Sequence, residues 1–234
     1  MRFAKGRFGG GETKPWIIGL AGAGRGTGVT HLTLMLANYL CSAQGRKTAV
    51  LEWNDHGDFD RLGILCTGEE KEKDRYRILQ ADYYPRAEAG RLMRCLGEGY
   101  ERVLIDFGVL DEMTETELTR CKAVWILISF SEWQMEAFWE LMRSRESPGR
   151  ESWQFFAAFG SEESRAEWNK RRRPKIERVP LSADAFTVTR ELMGWMETAL
   201  DRSPFSGDVS RKGLLRGKGQ FLRSKEERKS NERV

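Results

Sequence analysis

The sequence predicts an α/β fold, a doubly wound and mostly parallel sheet flanked by helices. Apolar runs of strand length alternate along the chain with helical stretches, which is the pattern of βαβ units. A glycine-rich loop separates the first apolar run from the first helix, and a later apolar run ends in Asp106. Because ligands of such sheets bind beyond the carboxyl ends of the strands, we expect the functional site in the loops there.

Short apolar runs bounded by polar or turn residues are predicted as strands. They cover residues 17–20, 47–53, 100–107, 123–130, 153–159 and 175–179. The run 123–130 (AVWILISF) is the most apolar of them and is typical of a central strand that is covered on both faces. We therefore expect a sheet of five or six strands.

Helices are predicted where apolar side chains recur at helical spacing. The first begins at Thr30 and reaches Ser42, before Gly45 as a glycine C-cap. Further helices are expected over 112–121, 133–142 and 185–200. Residues 68–77 are too charged for the core, whereas four tryptophans are expected to pack inside it: Trp125, Trp133, Trp139 and Trp153.

Charge divides the chain into three parts. The 234 residues are 40% hydrophobic and carry a net charge of +4, which suits one domain with a full core. Residues 1–14 carry +3 and residues 202–234 carry +6, so residues 15–201 carry −5. We predict a flexible basic N-terminus over 1–14, one folded domain over 15–201, and a basic, disordered tail over 202–234.

Composition also limits the compartment and the kind of site. The sequence has no run of eighteen apolar residues and its N-terminus lacks the apolar segment of a signal peptide, so a cytoplasmic location is expected. The four cysteines form no C-x-x-C pair, and the two histidines, His31 and His56, are far apart in sequence. This spacing argues against a zinc site.

The loop from Gly22 to Thr30 (GAGRGTGVT) is typical of a phosphate-binding loop. Glycines at alternate positions let backbone N–H groups converge at the start of a helix, whose dipole attracts anions. The loop departs from the G-x-x-x-x-G-K-[ST] template, however. Gly28 and Thr30 match it, but Ala23 replaces the first glycine and Val29 replaces the lysine. The chain therefore keeps the loop and loses its principal positive charge.

Two acidic residues follow strands that we expect in the same sheet. Asp106 closes the run 100–107, where phosphate-binding proteins keep a carboxylate that orients magnesium or its water. Glu52 begins the sequence EWND after the second run and is the candidate catalytic residue. Asp106 is therefore predicted as a ligand of Mg²⁺.

These segments resemble the ParA/MinD family of P-loop ATPases. The likeness extends over residues 15–200 and rests on WIIGLAGAGRGTGVTHLTLMLANYLCSAQGRKTAVLEWN, YERVLIDFG, AVWILISFSEWQMEAFWELM and IERVPLSADAF. That family has a deviant Walker motif, K-G-G-x-G-K-[ST], an acidic D-x-D after the second strand and an apolar strand ending in Asp. The resemblance implies a P-loop NTPase-like fold of the SIMIBI type, a bacterial source, ATP or ADP with Mg²⁺ as cofactor, and a nucleotide-dependent homodimer.

Carried over by position, the family's signature lysine falls on Gly24 and its catalytic lysine on Val29, so both lysines are absent. The paired aspartates correspond to Glu52 and Asn54, the Walker B aspartate to Asp106 and the magnesium-binding hydroxyl to Thr30. The resemblance therefore implies that Thr30 and Asp106 hold Mg²⁺. The predicted nucleotide-binding residues are Gly24, Arg25, Gly26, Thr27, Gly28, Val29, Thr30 and His31, with Pro180 in the loop near the base. Because positioned cations stabilise a transferring phosphate, this degenerate Walker A sequence argues against hydrolysis.

Three functions are compatible with these residues. We favour a ParA/MinD-like nucleotide-binding scaffold, or pseudo-ATPase, that positions a larger cellular assembly of unknown identity. The first alternative is an active but slow ATPase in which Arg25, or a basic residue of a partner, replaces the lysines. The second alternative is an interaction module that binds no nucleotide.

Two basic segments suggest further contacts. The apolar residues of the tail, Leu214, Leu215, Phe221 and Leu222, share one side of a helical projection, and MinD-like proteins use such a segment on membranes. Three glycines disfavour a helix there, so we interpret the tail as disordered, with weak contact at the inner membrane surface as the alternative. The basic run 170–173 is interpreted as a solvated surface, with nucleic acid as a less favoured partner.

Truncation after Asp201 tests the tail. If its apolar residues bind a membrane, vesicles with anionic lipid will sediment the intact protein and not the truncated one. Added salt will weaken this binding because Lys and Arg supply part of the attraction. Equal sedimentation of the two proteins would contradict the membrane contact.

Overall fold

The computed structural model describes residues 14–68, 73–143 and 150–203. The predictions for residues 1–13 and for the apolar residues of the tail lie outside these ranges. Within them, the strands are β1 (Trp16–Gly22), β2 (Thr48–Glu52), β3 (Tyr76–Ile78), β4 (Ala81–Tyr84), β5 (Arg102–Val109), β6 (Ala123–Phe130), β7 (Trp153–Gly160) and β8 (Ile176–Arg178). The α-helices are α1 (Val29–Asn38), α2 (Asp58–Thr67), α3 (Ala89–Gly97), α4 (Glu112–Leu118), α5 (Met135–Arg143), α6 (Glu162–Arg171) and α7 (Arg190–Asp201).

The described strands form one sheet in the order β3-β4-β2-β5-β1-β6-β7-β8. Every neighbouring pair is parallel except β3 and β4, which are antiparallel at one edge. This arrangement confirms the predicted doubly wound, mostly parallel sheet. It also places β1 between β5 and β6, so that the loop after β1 and the end of β5 meet at the same edge.

Helices cover both faces of the sheet and bury two cores. Ile18 and Leu20 of β1 pack with α1, α2 and α7 on one face, and Ile17 and Ala21 pack with α3, α4, α5 and α6 on the other. This alternation follows from the two-residue period of a strand. Each large apolar side chain removed from water stabilises the fold by about 1.5–3 kcal/mol, and the central strands are buried along nearly their whole length. The sheet is therefore a rigid platform for the loops at its edge.

The hairpin formed by β3 and β4 is absent from the sequence prediction. The expectation that residues 68–77 stay outside the core is wrong for Tyr76, which is buried and stacks on Tyr83 with ring centroids 5.6 Å apart. The Tyr76 hydroxyl donates a hydrogen bond to the Phe59 carbonyl over 2.6 Å. The charged residues beside Tyr76 made the segment look exposed in the sequence. Tyr76 can nevertheless be buried, because its ring packs in the core while its hydroxyl makes a hydrogen bond.

Two other local predictions need correction. The last helix begins at Arg190, with Thr189 as its side-chain cap, and residues 185–189 belong to the preceding loop. Trp133 is 81% exposed and does not belong to the core, although Trp125 and Trp153 are buried as expected. No helix within the described ranges is long and apolar enough to cross a bilayer.

Candidate functional site

The loop that joins β1 to α1 is tightly wound. A side chain at Gly22 would bring its Cβ within 2.2 Å of the Thr27 Oγ1, so the turn closes only around a glycine. Gly28 has a φ of 96°, in the left-handed region, and it precedes the first residue of α1. The Thr27 hydroxyl donates a hydrogen bond to the Gly24 carbonyl over 3.1 Å. The glycines thus set a fixed backbone path at the helix start.

The amides of this loop are free to bind a ligand. Within the described residues, the N–H groups of Arg25, Gly26, Thr27 and Gly28 donate to no acceptor. No side chain caps α1, and its first turn contains no acidic residue. The unsatisfied amides and the positive end of the helix dipole therefore point to an anion as the ligand of this loop.

Val29 cannot supply the charge that a lysine would bring. Its side chain is 7% exposed and belongs to the core on the α1 face. Its Cγ2 lies 2.9 Å from the position that a Cβ of Gly22 would occupy. The residue contributes its backbone to the loop and an apolar side chain to the interior.

A cleft of about 200 Å³ opens over the loop. All eight residues predicted from 24 to 31 line it, together with His56, Asp58, Gly108 and Val109. Pro180, Glu52 and Asp106, which were also predicted as site residues, do not line it. His31 reaches the Pro180 loop instead, because its Nε2 lies 2.9 Å from the Ser182 carbonyl oxygen. The cleft therefore combines the loop after β1 with the ends of β2 and β5.

Asp106 lies fully buried near the end of β5, opposite Leu20 of β1 and Glu52 of β2. Its Oδ1 accepts hydrogen bonds from the Gly108 amide, at 2.9 Å, and from the Asn54 Nδ2, at 3.3 Å. Its Oδ2 has no hydrogen-bond partner among the described residues. A buried carboxylate oxygen without a partner is costly, and it fits a site that a cation completes.

Burial raises the pKa of Asp106 to about 6. The neighbouring Thr30 hydroxyl and the Gly108 amide oppose that rise, and the charge of Glu52 adds to it. Thr30 and Asp106, the two residues predicted to hold Mg²⁺, are therefore next to each other. An oxygen pair of this kind suits a hard cation such as Mg²⁺.

Glu52 has a different position from the one expected of a catalytic residue. Its Oε1 accepts a hydrogen bond from the Phe59 amide over 3.0 Å, and its Oε2 lies 3.5 Å from the Arg86 amide. Burial raises the pKa of this carboxyl as well, against these amides. Glu52 thus ties α2 to the segment after β4 and helps to fix the position of residues 56–58.

Asn54 and His56, which follow β2, were not among the predicted site residues, although Asn54 occupies the position of one of the family's paired aspartates. The Asn54 Nδ2 donates to the Asp106 carbonyl over 3.0 Å, and its Oδ1 accepts from the His56 amide over 3.0 Å. The available signal was the polar sequence EWNDH directly after a buried strand. Histidine was considered there only as a zinc ligand, so its position beside a phosphate loop was overlooked.

Neither a protein-family model nor a curated protein sequence matches the chain. Solved structures do match its fold. A ParA family ATPase from Chlorobium tepidum TLS superposes with a TM-score of 0.54 at 17% identity, over 86% of this chain and 99% of that chain. A protein assigned to plasmid partition from Borrelia burgdorferi B31, solved with AMPPNP, gives a TM-score of 0.54 at 15% identity, over 81% of this chain and 98% of that chain.

The fold is that of ParA-type P-loop ATPases. In this ParA-type fold the loop after β1 holds the amides, and the end of β5 holds the buried acid. The match covers nearly the full length of both structures, so this chain contains the complete core of the fold.

The substitution Asp106→Asn tests the cost of the buried acid without metal or nucleotide. Because folding raises this pKa from its ordinary 3.8 to about 6, the ionised form destabilises the fold, by about 3 kcal/mol at high pH. This destabilisation is absent below about pH 4, where the carboxyl is protonated in both the folded and the unfolded protein. It is complete once the pH has risen through 6. We expect the variant to unfold at higher urea concentration than the wild type at pH 8, with the difference closing near pH 4.5.

Asp82→Asn is the matched control. Arg77 and the Tyr100 hydroxyl hold the pKa of Asp82 below its ordinary value, against its burial, so this variant should be less stable than the wild type at pH 8. Urea unfolding with a chelator present measures both. If Asp106→Asn is less stable than the wild type at pH 8, the ionised carboxyl of Asp106 in the wild type is well compensated without metal or nucleotide.

Proposed function

We propose that this chain is a ParA-like scaffold that binds ATP or ADP and hydrolyses ATP slowly or not at all. One observation supports this above the others. The amides of residues 25–28 are free and Asp106 lies buried next to Thr30 of the same loop, while the position that should carry a lysine is occupied by the buried side chain of Val29. The site keeps the groups that bind phosphate and lacks the group that would neutralise its charge during transfer.

Binding of phosphate does not require the lysine. Backbone amides at a helix start attract anions by themselves, and hydrogen bonds to a charged partner contribute about 1.5–3 kcal/mol each. Arg25 is exposed in the loop, and its guanidinium makes no hydrogen bond or ion pair with the described residues. It is the cation nearest in sequence to these amides and can extend toward a bound phosphate chain.

Hydrolysis is a stricter requirement than binding. The transferring phosphoryl group gains its stabilisation from fixed donors and cations that act on the transition state, and one lost donor costs on the order of a hundredfold to a thousandfold in rate. Arg25 is anchored through its carbonyl, which accepts a hydrogen bond from the Gln134 Nε2 over 2.7 Å, but its side chain has no such anchor. A mobile guanidinium is a poor substitute for a positioned ammonium.

Thr30 and Asp106 are the residues that would hold Mg²⁺. Bound there, the ion would neutralise part of the phosphate charge as a Lewis acid. The unpartnered Oδ2 of Asp106 is the feature of this chain that fits such an ion. In the free protein burial raises the pKa of this carboxyl, so metal binding and loss of its proton are coupled.

A second copy of the chain, or a partner protein, would dock over the same edge. Three exposed apolar side chains follow the ends of β5, β6 and β8: Met113, Trp133 and Leu181, each at least 80% exposed. Exposed large apolar groups that follow strand ends at one edge of a sheet are typical of an interaction surface. We infer that the nucleotide and the partner bind at this same edge, so that nucleotide binding controls partner binding.

The substitution Val29→Lys restores the template cation. We expect it to raise ATP affinity about tenfold, because an ammonium at the phosphate adds one charge-assisted hydrogen bond. Val29→Met, which adds length without charge, should leave the affinity nearly unchanged. Calorimetric titration with ATP and Mg²⁺ measures both variants, and thermal unfolding confirms that each remains folded.

Release of phosphate by the wild type tests the absence of fast hydrolysis. We expect a rate at the level of the buffer blank or slightly above it. Magnesium-dependent turnover that Asp106→Ala abolishes would instead support the active ATPase. Failure of ATP and ADP to bind at about 1 mM, a free energy of only about −4 kcal/mol, would support the interaction module without nucleotide.

A further inference from the structure

His56 forms part of the cleft wall at the end of β2. It lines the same cleft as the loop after β1, but it belongs to the turn that leads into α2. Two hydrogen bonds of Asn54 hold the turn that carries the ring. The His56 amide donates to the Asn54 Oδ1 over 3.0 Å, and Asn54 is itself bonded to Asp106.

The ring of His56 packs against Gly108 beyond Asp106. A Cβ at Gly108 would lie 2.9 Å from the His56 Cε1, and Gly108 has a φ of 67°. Only a glycine at this position leaves room for the imidazole. The ring is therefore held by its neighbours on the Asp106 side of the cleft.

The two histidines of the chain differ in their hydrogen bonds. The Nε2 of His31 is engaged by the Ser182 carbonyl oxygen, whereas neither ring nitrogen of His56 has a hydrogen-bond partner among the described residues. The imidazole of His56 is thus a positioned group that can donate a hydrogen bond into the cleft.

The other charged groups of the cleft do not oppose this role. Asp58 is the acidic residue on the same wall, and its Oδ1 lies 3.2 Å from the Arg61 Nη2, which offsets its charge. Arg25 and His31 belong to the loop side, and Asp106 lies buried next to Thr30. An anion that reaches the β2 side therefore meets His56 rather than an uncompensated carboxylate.

We propose that His56 binds the terminal phosphate of a bound nucleoside triphosphate and takes over part of the contact of the missing lysine. This inference rests on the proposed function. His31 joins α1 to the loop that contains Pro180, on the β8 side of the sheet, where we place the base. A phosphate chain that starts there and crosses the amides of residues 25–28 ends at β5 and β2, beside His56.

The proposal is tested by the ratio of ATP affinity to ADP affinity, which should fall when the imidazole is removed. His56→Gln removes the imidazole and keeps a polar side chain, so it should weaken ATP binding about tenfold and ADP binding less than twofold. His31→Gln is the matched control, because it removes the other histidine of the cleft on the base side. It should change both affinities by the same factor. Calorimetry with ATP and with ADP, each with Mg²⁺, gives the ratio of variant to wild-type affinity for both variants and both nucleotides.

The NMR signals of the imidazole rings give a second measurement. It is made on the wild type, so it does not require that a variant still binds nucleotide. The chain has two histidines, so a nitrogen-correlated NMR spectrum of the wild type contains two ring systems. ATP should shift the His56 ring strongly, and ADP should shift it less. Each ring is assigned from the spectrum of the variant that lacks it.

Two results would contradict the proposal and are distinguishable. If the wild type binds ATP but His56→Gln binds ATP and ADP with unchanged affinities, and the His56 ring does not shift, His56 makes no phosphate contact and the proposed function stands. If the wild type binds neither nucleotide, both the contact and the proposed function are wrong.

Discussion

The burial of Asp106 is the constraint on which the rest of this site depends. A carboxylate without exposed surface requires either a partner for each oxygen or a proton, and here one oxygen has two donors while the other has none. The neighbouring residues follow from this need. Gly108 turns its amide onto the carboxylate, Asn54 donates a side-chain amide, and Thr30 lies beside it in the first turn of α1.

The same constraint connects loops from three strands. Through Asn54 the acid holds the turn after β2, through Gly108 it fixes the end of β5, and through Thr30 it meets the loop after β1. The result is a cleft whose walls are set by backbone and by buried acids rather than by a lysine. A ligand that brings both a cation and phosphate would satisfy the free oxygen and the free amides together, and this supports the proposal that a nucleotide with Mg²⁺ binds here.

The sequence predicted the fold class and the central strands because those strands are apolar on both faces, and such runs leave little ambiguity. The loop from Gly22 to Thr30 and the acid at 106 could be located for the same reason, since the loop follows one buried run and the acid belongs to another. The β3–β4 hairpin could not be found in this way, because its strands are short and bury tyrosines beside charged residues. Trp133 shows the opposite error, since a large apolar residue at helical spacing lies in solvent.

Side-chain roles in the site were harder to predict than its location. Glu52 follows the strand expected of a catalytic acid, yet both of its oxygens face backbone amides, and this depends on where α2 begins. His56 acquires its position through Asn54 and Gly108, which are distant in sequence and meet only when β2 and β5 pair. For residues whose environment comes from long-range pairing, the local sequence indicates at most a polar turn after a strand, so the structure was needed to identify their roles.

The central claim is that the backbone amides of the loop after β1 hold phosphate without a lysine. Amide NMR spectra of the uniformly labelled, full-length chain, recorded during addition of ATP with Mg²⁺, test it most directly. The account predicts large and saturable shifts for the amides of Gly26, Gly28 and Thr30, with small shifts on the amino-end side of the sheet. Unchanged loop amides at several millimolar ATP, with the protein folded, would contradict it.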